Sequence, residues 1–217
     1  MFCILCFLTF NSCFGNPNIS SAAHQLKNSG LDLSKNKVIE AAVWEEDGVP
    51  LKLHVASNSQ STSLLNFGSH ADSYPDITFT SEIDVVTKRL DSIIKPNEMP
   101  NFVNLDVQGV ELSAIKSLGS LLEAVDYIYT EVNKEEVYEG CTLVKDLDGY
   151  LLAKGFKRVT TRWYLKEGWG DALYIRNSVS QNLSAKHYLS IKGKSLWFYS
   201  RQFISLCKQK LSRLKQP

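Results

Sequence analysis

The strongest candidate to carry chemistry is Leu105-Asp106-Val107-Gln108-Gly109-Val110-Glu111. An apolar run, Asn101 to Val107, leads into it. A helical pattern, Leu112, Ile115, Leu118 and Leu122, follows. Asp106 is therefore predicted where a buried strand gives way to a helix. In open parallel sheets, ligands bind outside the carboxyl ends of strands, so a carboxylate there can face a cofactor or an acceptor. Gly109 would let backbone approach a ligand closely. Equally, Asp106 or Gln108 can satisfy free N–H groups at the helix start. Glu131 holds the equivalent place on the next strand, Asp126 to Val132. A second carboxylate on one edge can orient substrate or accept a proton. On position alone, a solvated strand-end Glu beside Lys134 is the favoured reading. Glu135, Glu136 and Glu139 read as a helix face or loop.

Other chemistries find little support. The four histidines, His24, His54, His70 and His187, have no metal-ligand spacing, and no metal is implied. There is neither a nucleophile elbow nor a phosphate-cradling P-loop. Five cysteines, three of them within the first 13 residues, do not form a disulfide framework. Cys3-x-x-Cys6 lacks the second ligand pair that zinc requires. Ser61-Thr62-Ser63-Leu64-Leu65 either lines a pocket mouth with hydroxyls or is a plain loop anchored by its leucines. Trp169 either walls a site or fills core.

The elements needed to position these residues can be read from periodicity. Phe2 to Phe10 is a short apolar run that fits a buried strand; a signal peptide is the other reading, against which stands an n-region without Lys or Arg. A helix follows Pro17, with Ile19, Ala22, Ala23 and Leu26 on one face. Lys37 to Trp44 reads as a strand, and Asp47-Gly48 as a hairpin turn after which Leu51, Leu53 and Val55 fold back antiparallel. Residues 57–82, rich in Ser, Asn, Thr and Asp, read as a long loop. Leu143, Leu147 and Leu151 mark a helix that Gly155 ends. Phe156 to Tyr164 and Ala172 to Arg176 pair antiparallel across Lys166-Glu167-Gly168. Strands alternating with helices imply an α/β fold, mostly parallel with an antiparallel C-terminal hairpin. Val38–Val43, Phe102–Val107 and Tyr127–Glu131 are expected in one sheet, with Asp106 and Glu131 on the same carboxyl edge.

With 217 residues, 44% hydrophobic and 22% charged, the chain is globular over most of its length. A net charge of +1 calls for no nucleic acid. The balance is uneven, because no Asp or Glu follows Asp171 while the tail beyond carries lysines and arginines. Residues 178–217 read as a basic appendage with a helix over Leu196–Leu214. Its Leu196, Tyr199, Phe203 and Leu206 face would dock on the body, or lie on an anionic membrane surface with Lys208, Lys210, Arg213 and Lys215 near the headgroups. No segment reaches the roughly 18–20 apolar residues needed to span a bilayer.

NLDVQGVE, then YIYTEV, KDLDGYLLAKGF and GWGDALYIR, resembles in order and spacing the C-terminal half of the FkbM-type methyltransferases. VIEAAVWEEDGVPLKLHVA and STSLL followed by VVTKRLDSI are similar to their upstream portion, and the likeness covers about residues 16–177. It implies a Rossmann-like domain over 17–177, with an apolar segment at 1–16. It also implies methyl transfer from S-adenosylmethionine, to an oxygen of a small molecule or sugar. Asp106 and Glu131 would be the catalytic carboxylates, and Asp106, Gly109 and Glu111 would be on the cofactor side.

Two departures stand out. Asp106-Val107-Gln108-Gly109 replaces the usual Asp-Val-Glu-Gly. The first cofactor-binding strand with its Gly-rich turn has no counterpart in residues 1–16, and no carboxylate for the ribose stands near Cys13 to Gly15. The chain is thus expected to be an N-terminally incomplete or degenerate member that binds S-adenosylmethionine weakly or not at all. A catalytically inactive methyltransferase-like interaction module is the alternative. The cytoplasm is the favoured location, with a secretory signal left open.

Overall fold

The computed structural model describes residues 3–7, 39, 41–164 and 166–181. The helix expected after Pro17 and the one over Leu196–Leu214 lie outside the described residues. Among the described residues, eight strands form two sheets. β1 (Cys3–Phe7), β5 (Phe102–Asp106), β6 (Tyr127–Asn133), β8 (Trp169–Arg176) and β7 (Phe156–Trp163) lie in that order in the larger sheet. β1, β5 and β6 run parallel, while β8 is antiparallel to both β6 and β7. The C-terminal hairpin is as expected and the fold is α/β, while the larger sheet has two parallel and two antiparallel pairings. β1 pairs directly with β5, with Cys3 opposite Phe102 and Phe7 opposite Asp106.

The period-2 pattern decides which face is buried. Val103 and Leu105 of β5 and Ile128 of β6 are almost fully buried. Against that face pack α3 (Glu111–Lys116), through Ala114 and Ile115, and α4 (Val144–Ala153), through Leu147 and Leu151. Each of these valine, leucine and isoleucine side chains contributes roughly 1.5–3 kcal/mol on burial. The apolar helix expected from Leu112 to Leu122 is shorter than its pattern. α3 stops at Lys116, and a 3₁₀ stretch, Gly119–Ala124, continues the apolar contacts. α4 ends as expected before Gly155, whose φ of +81° suits glycine.

The second sheet corrects two expectations. β2 (Ala42–Val43), placed by pattern in the same sheet as β5 and β6, belongs instead to a three-stranded sheet of order β2-β4-β3. β3 (Pro50–Ala56) does not pair with β2 across Asp47-Gly48. β4 (Phe79–Lys88) lies between them, parallel to β2 and antiparallel to β3. Thr87 explains why. Its hydroxyl donates to the Glu46 carbonyl and accepts from the Val49 N–H, and Gly48 N–H donates to the Thr87 carbonyl. The turn at 45–48 thus closes on β4 rather than on its own flanking strands. The long loop expected over residues 57–82 is also shorter, because β4 begins at Phe79 and α1 (His70–Ser73) interrupts it. α2 (Leu90–Ile93) and α5 (Asn177–Gln181) complete the described α-helices.

Candidate active site

The strand-to-helix turn after β5 is built by Gln108 and Gly109, with φ of +51° and +102°. This left-handed pair turns the chain sharply from strand into α3. A Cβ on Gly109 would lie 3.1 Å from both the Cys141 Cβ and the Leu65 Cδ1. Glycine is therefore required there by packed protein, with the neighbouring space filled by side chains. Glu111 is turned the same way. It is almost fully buried, and its Oε1 accepts N–H groups of Gly109 (3.1 Å) and Val107 (3.3 Å). It fastens the turn that presents Asp106. Burial raises its pKa to about 7 against the pull of those backbone donors.

Asp106 and Glu131 do share one edge. Leu105 pairs with Thr130, so the next residues, Asp106 and Glu131, come abreast with their side chains on the same face. The Gln108 amide nitrogen bridges them, donating to the Asp106 Oδ1 and, at 3.4 Å, to the Glu131 Oε2. The solvated reading of Glu131 is overturned, since only 7% of the residue is exposed. Asp106 is partly buried. Burial raises the pKa of both, most strongly for Glu131, where the charges of Glu111, Asp106 and Asp171 add to it. Gln108 opposes the rise at each. Two residues further along β6, Asn133 is fully buried, and neither of its side-chain amide atoms has a hydrogen-bond partner.

Gln108 is held from both ends. The Ser63 hydroxyl donates to its backbone carbonyl at 2.7 Å and accepts from the Leu65 N–H at 3.0 Å. The Tyr138 hydroxyl donates to its side-chain carbonyl at 2.7 Å. Ser61, Thr62 and Ser63 are all buried, and this run is packed, with Leu64 in the core and Leu65 against it as the loop reading expects. It is an anchor for the turn after β5. Trp169 is partly buried and packs against Tyr164, with ring centroids 4.2 Å apart. Asp171, opposite Glu131 on β8, accepts from the Tyr164 hydroxyl at 2.9 Å. No cluster of His, Cys, Asp and Glu suited to a metal ion occurs among the described residues. The sequence reading gave neither Tyr138 nor His70 a place at this turn. They stand 30 and 38 positions from Gln108, and no local pattern links them to it.

Residues 13–158 match the family described as the methyltransferase FkbM domain. The 2-O-methyltransferase NoeI of Sinorhizobium fredii (strain NBRC 101917 / NGR234) is 28% identical over 137 residues. The match takes in 59% of this chain and 55% of that protein, so the chain spans about half the length of this curated relative. No solved structure matches. The family match covers Asp106, Gln108 and Glu131, together with the Ser61–Ser63 and Tyr138 positions that hold them, and the chain belongs to the FkbM methyltransferase domain family.

Proposed function

We propose that this protein is an S-adenosylmethionine-dependent methyltransferase that acts on an oxygen of a small molecule or sugar at the carboxyl edge of β5 and β6. The observation that carries the reading is the carboxylate pair, Asp106 and Glu131, bridged by one amide at the ends of two parallel strands. The donor set fits the cationic end of the cofactor, because a carboxylate edge attracts a sulfonium or ammonium group. The orphaned Asn133 amide fits a polar ligand group beside Glu131. When bound, the cofactor supplies an electrophilic methyl group.

The residues of the chain do the rest. Asp106, the more exposed carboxylate, would accept the proton that an acceptor hydroxyl gives up. Glu131, deeper and more strongly driven to its neutral form, orients the acceptor. Holding the two reactants in line contributes most of the rate.

Weak affinity is the expectation, because the family resemblance puts the ribose carboxylate near Cys13 to Gly15, where the sequence has none. A charge-assisted bond of that kind is worth roughly 1.5–3 kcal/mol, or about 10–150-fold in affinity. The same feature favours a second reading, an inactive interaction module. Isothermal titration with S-adenosylmethionine separates the two. The expected result is weak binding that Asp106→Ala abolishes. Binding unchanged by Asp106→Ala would move the site elsewhere, and no binding at all would favour the module.

A further inference from the structure

We propose that the C-terminal segment, residues 182–217, docks on the face of the larger sheet that α3 and α4 leave open, with its apolar stripe over Tyr127, Tyr129 and Leu173 and its basic end over the Asp106 edge. The edge it covers is the one proposed above for methyl transfer, but the docking does not rest on that reading.

The larger sheet has two unlike faces. Along β5 and β6 burial alternates. Val103, Leu105 and Ile128 are buried beneath α3 and α4, while Phe102, Tyr127 and Tyr129 point the other way and are partly exposed. Register sets Phe102 beside Tyr127, and Leu173 of β8 beside Tyr129, on this second face. Among the described residues, none of these four packs against either apolar cluster. Three of the four are aromatic, the side chains with the most apolar area to bury.

Handedness decides which stretch of chain covers them. β5 lies on the same side of β1 as β6 does of β5. Right-handed crossovers then place the β1–β5 connection on the same face as α3. The second sheet agrees, since Ala42, Leu53 and Val85 join the same core cluster as Val103 and Leu105. That leaves the opposite face to the segment after α5.

The point of exit and the charge both fit. β8 is antiparallel to β6, with Ile175 opposite Tyr127 and Asp171 opposite Glu131. The chain therefore leaves through Arg176 and α5 at the edge far from the carboxylates. A helix over Leu196–Leu214 that turns back across the face runs toward them. Leu196, Tyr199, Phe203 and Leu206 then cover the rings, and Lys210 continues the same stripe. From Tyr199 to Lys210 a helix rises about 16 Å. From Tyr127 to Glu131 the strand rises about 13 Å. Lys210 thus arrives beside Asp106, which is partly exposed and, among the described residues, meets the Gln108 amide rather than a cation. Arg162 of β7 already stands opposite Asp171. The segment carries no Asp or Glu, so nothing in it repels the carboxylate edge.

The test is proton NMR of the dilute full-length chain, with neither cofactor nor lipid present. Cross-peaks between the Phe203 ring and the Tyr127 or Tyr129 ring are expected, and Phe203→Ser is expected to lose them. Carbodiimide treatment is expected to couple Lys210 to Asp106 within the monomer, located by mass spectrometry. Ring cross-peaks without that coupling would overturn the direction of the segment across the sheet. Absence of the cross-peaks would overturn the docking itself. Coupling found only in covalent dimers would assign the face to a second copy and overturn it too. Flotation with vesicles of phosphatidylserine and phosphatidylcholine, in a chain without the cross-peaks, would place the segment on a membrane surface instead. Because no methyl donor is present, failure here is distinct from failure of S-adenosylmethionine to bind.

Discussion

Glu111 shows how one buried carboxyl links local geometry to pH. Its acceptor oxygen ties the turn after β5 to the start of α3, and burial raises its folded-state pKa from 4.5 to about 7. A raised folded pKa means that the native state binds the proton more tightly than the unfolded chain. The stabilisation is fully present below about pH 4.5 and is lost as pH rises through about 7. Asp106 and Glu131 act in the same direction. Urea midpoints measured from pH 4.5 to 8 are expected to fall, with Glu111 accounting for on the order of 2–3 kcal/mol. Glu111→Gln keeps an oxygen acceptor for Val107 and Gly109 but cannot ionise. Its profile should be flatter, and it should be the more stable protein at pH 8. Parallel profiles for the two proteins would show that Glu111 does not titrate in this window.

At the scale of elements, the placing of β4 between β2 and β3 depends on Thr87. Its fully buried hydroxyl satisfies the Glu46 carbonyl and the Val49 N–H, two backbone groups that a conventional hairpin would have paired with each other's strand. Thr87→Val is nearly isosteric and leaves both groups unpaired. A stability loss of about 1–3 kcal/mol is expected, read as a lower denaturation midpoint with an unchanged slope. A neutral result would mean that water reaches both groups. α4 behaves more simply. Its Leu147 and Leu151 stripe was visible in the sequence because a helix of 3.6-residue period needs no distant partner to declare its buried face.

Across the whole molecule, Arg89 joins the two sheets. Its backbone N–H donates to the Asp47 Oδ1 at 2.7 Å. Its guanidinium bonds both oxygens of Asp91, at 2.8 and 2.7 Å, and the carbonyls of Glu45 and Lys116. It thereby ties the end of β4 and the turn at 45–48 to α3, which covers the larger sheet. Lys116 adds a second tie through Glu45 at 2.7 Å. Arg89→Leu is expected to lower stability by about 1–3 kcal/mol, discounted because the pair is partly exposed to solvent. Arg89→Lys should recover little, since a single ammonium cannot reproduce the fork. Thermal unfolding of the three proteins checks this, and full recovery by lysine would reduce the tie to simple charge.

From sequence alone came the α/β character, the β7–β8 hairpin, the helix ending at Gly155, and Asp106 and Glu131 at one strand edge. These rest on local periodicity, on turn chemistry, and on the regular alternation of side chains along neighbouring strands. Family membership was legible for a related reason, in the ordered spacing of NLDVQG, YIYTEV and GWGDALYIR. The split into two sheets, the burial of Glu131, and the filled space around Gly109 were decided only by tertiary structure. So was the hold of the Tyr138 hydroxyl on the Gln108 side chain. Each depends on groups tens of residues apart, such as Thr87 on Glu46 or Tyr138 on Gln108. A hydrogen bond between them leaves no periodic trace, because its energy depends on where two separately folded segments meet and not on the order of residues in either.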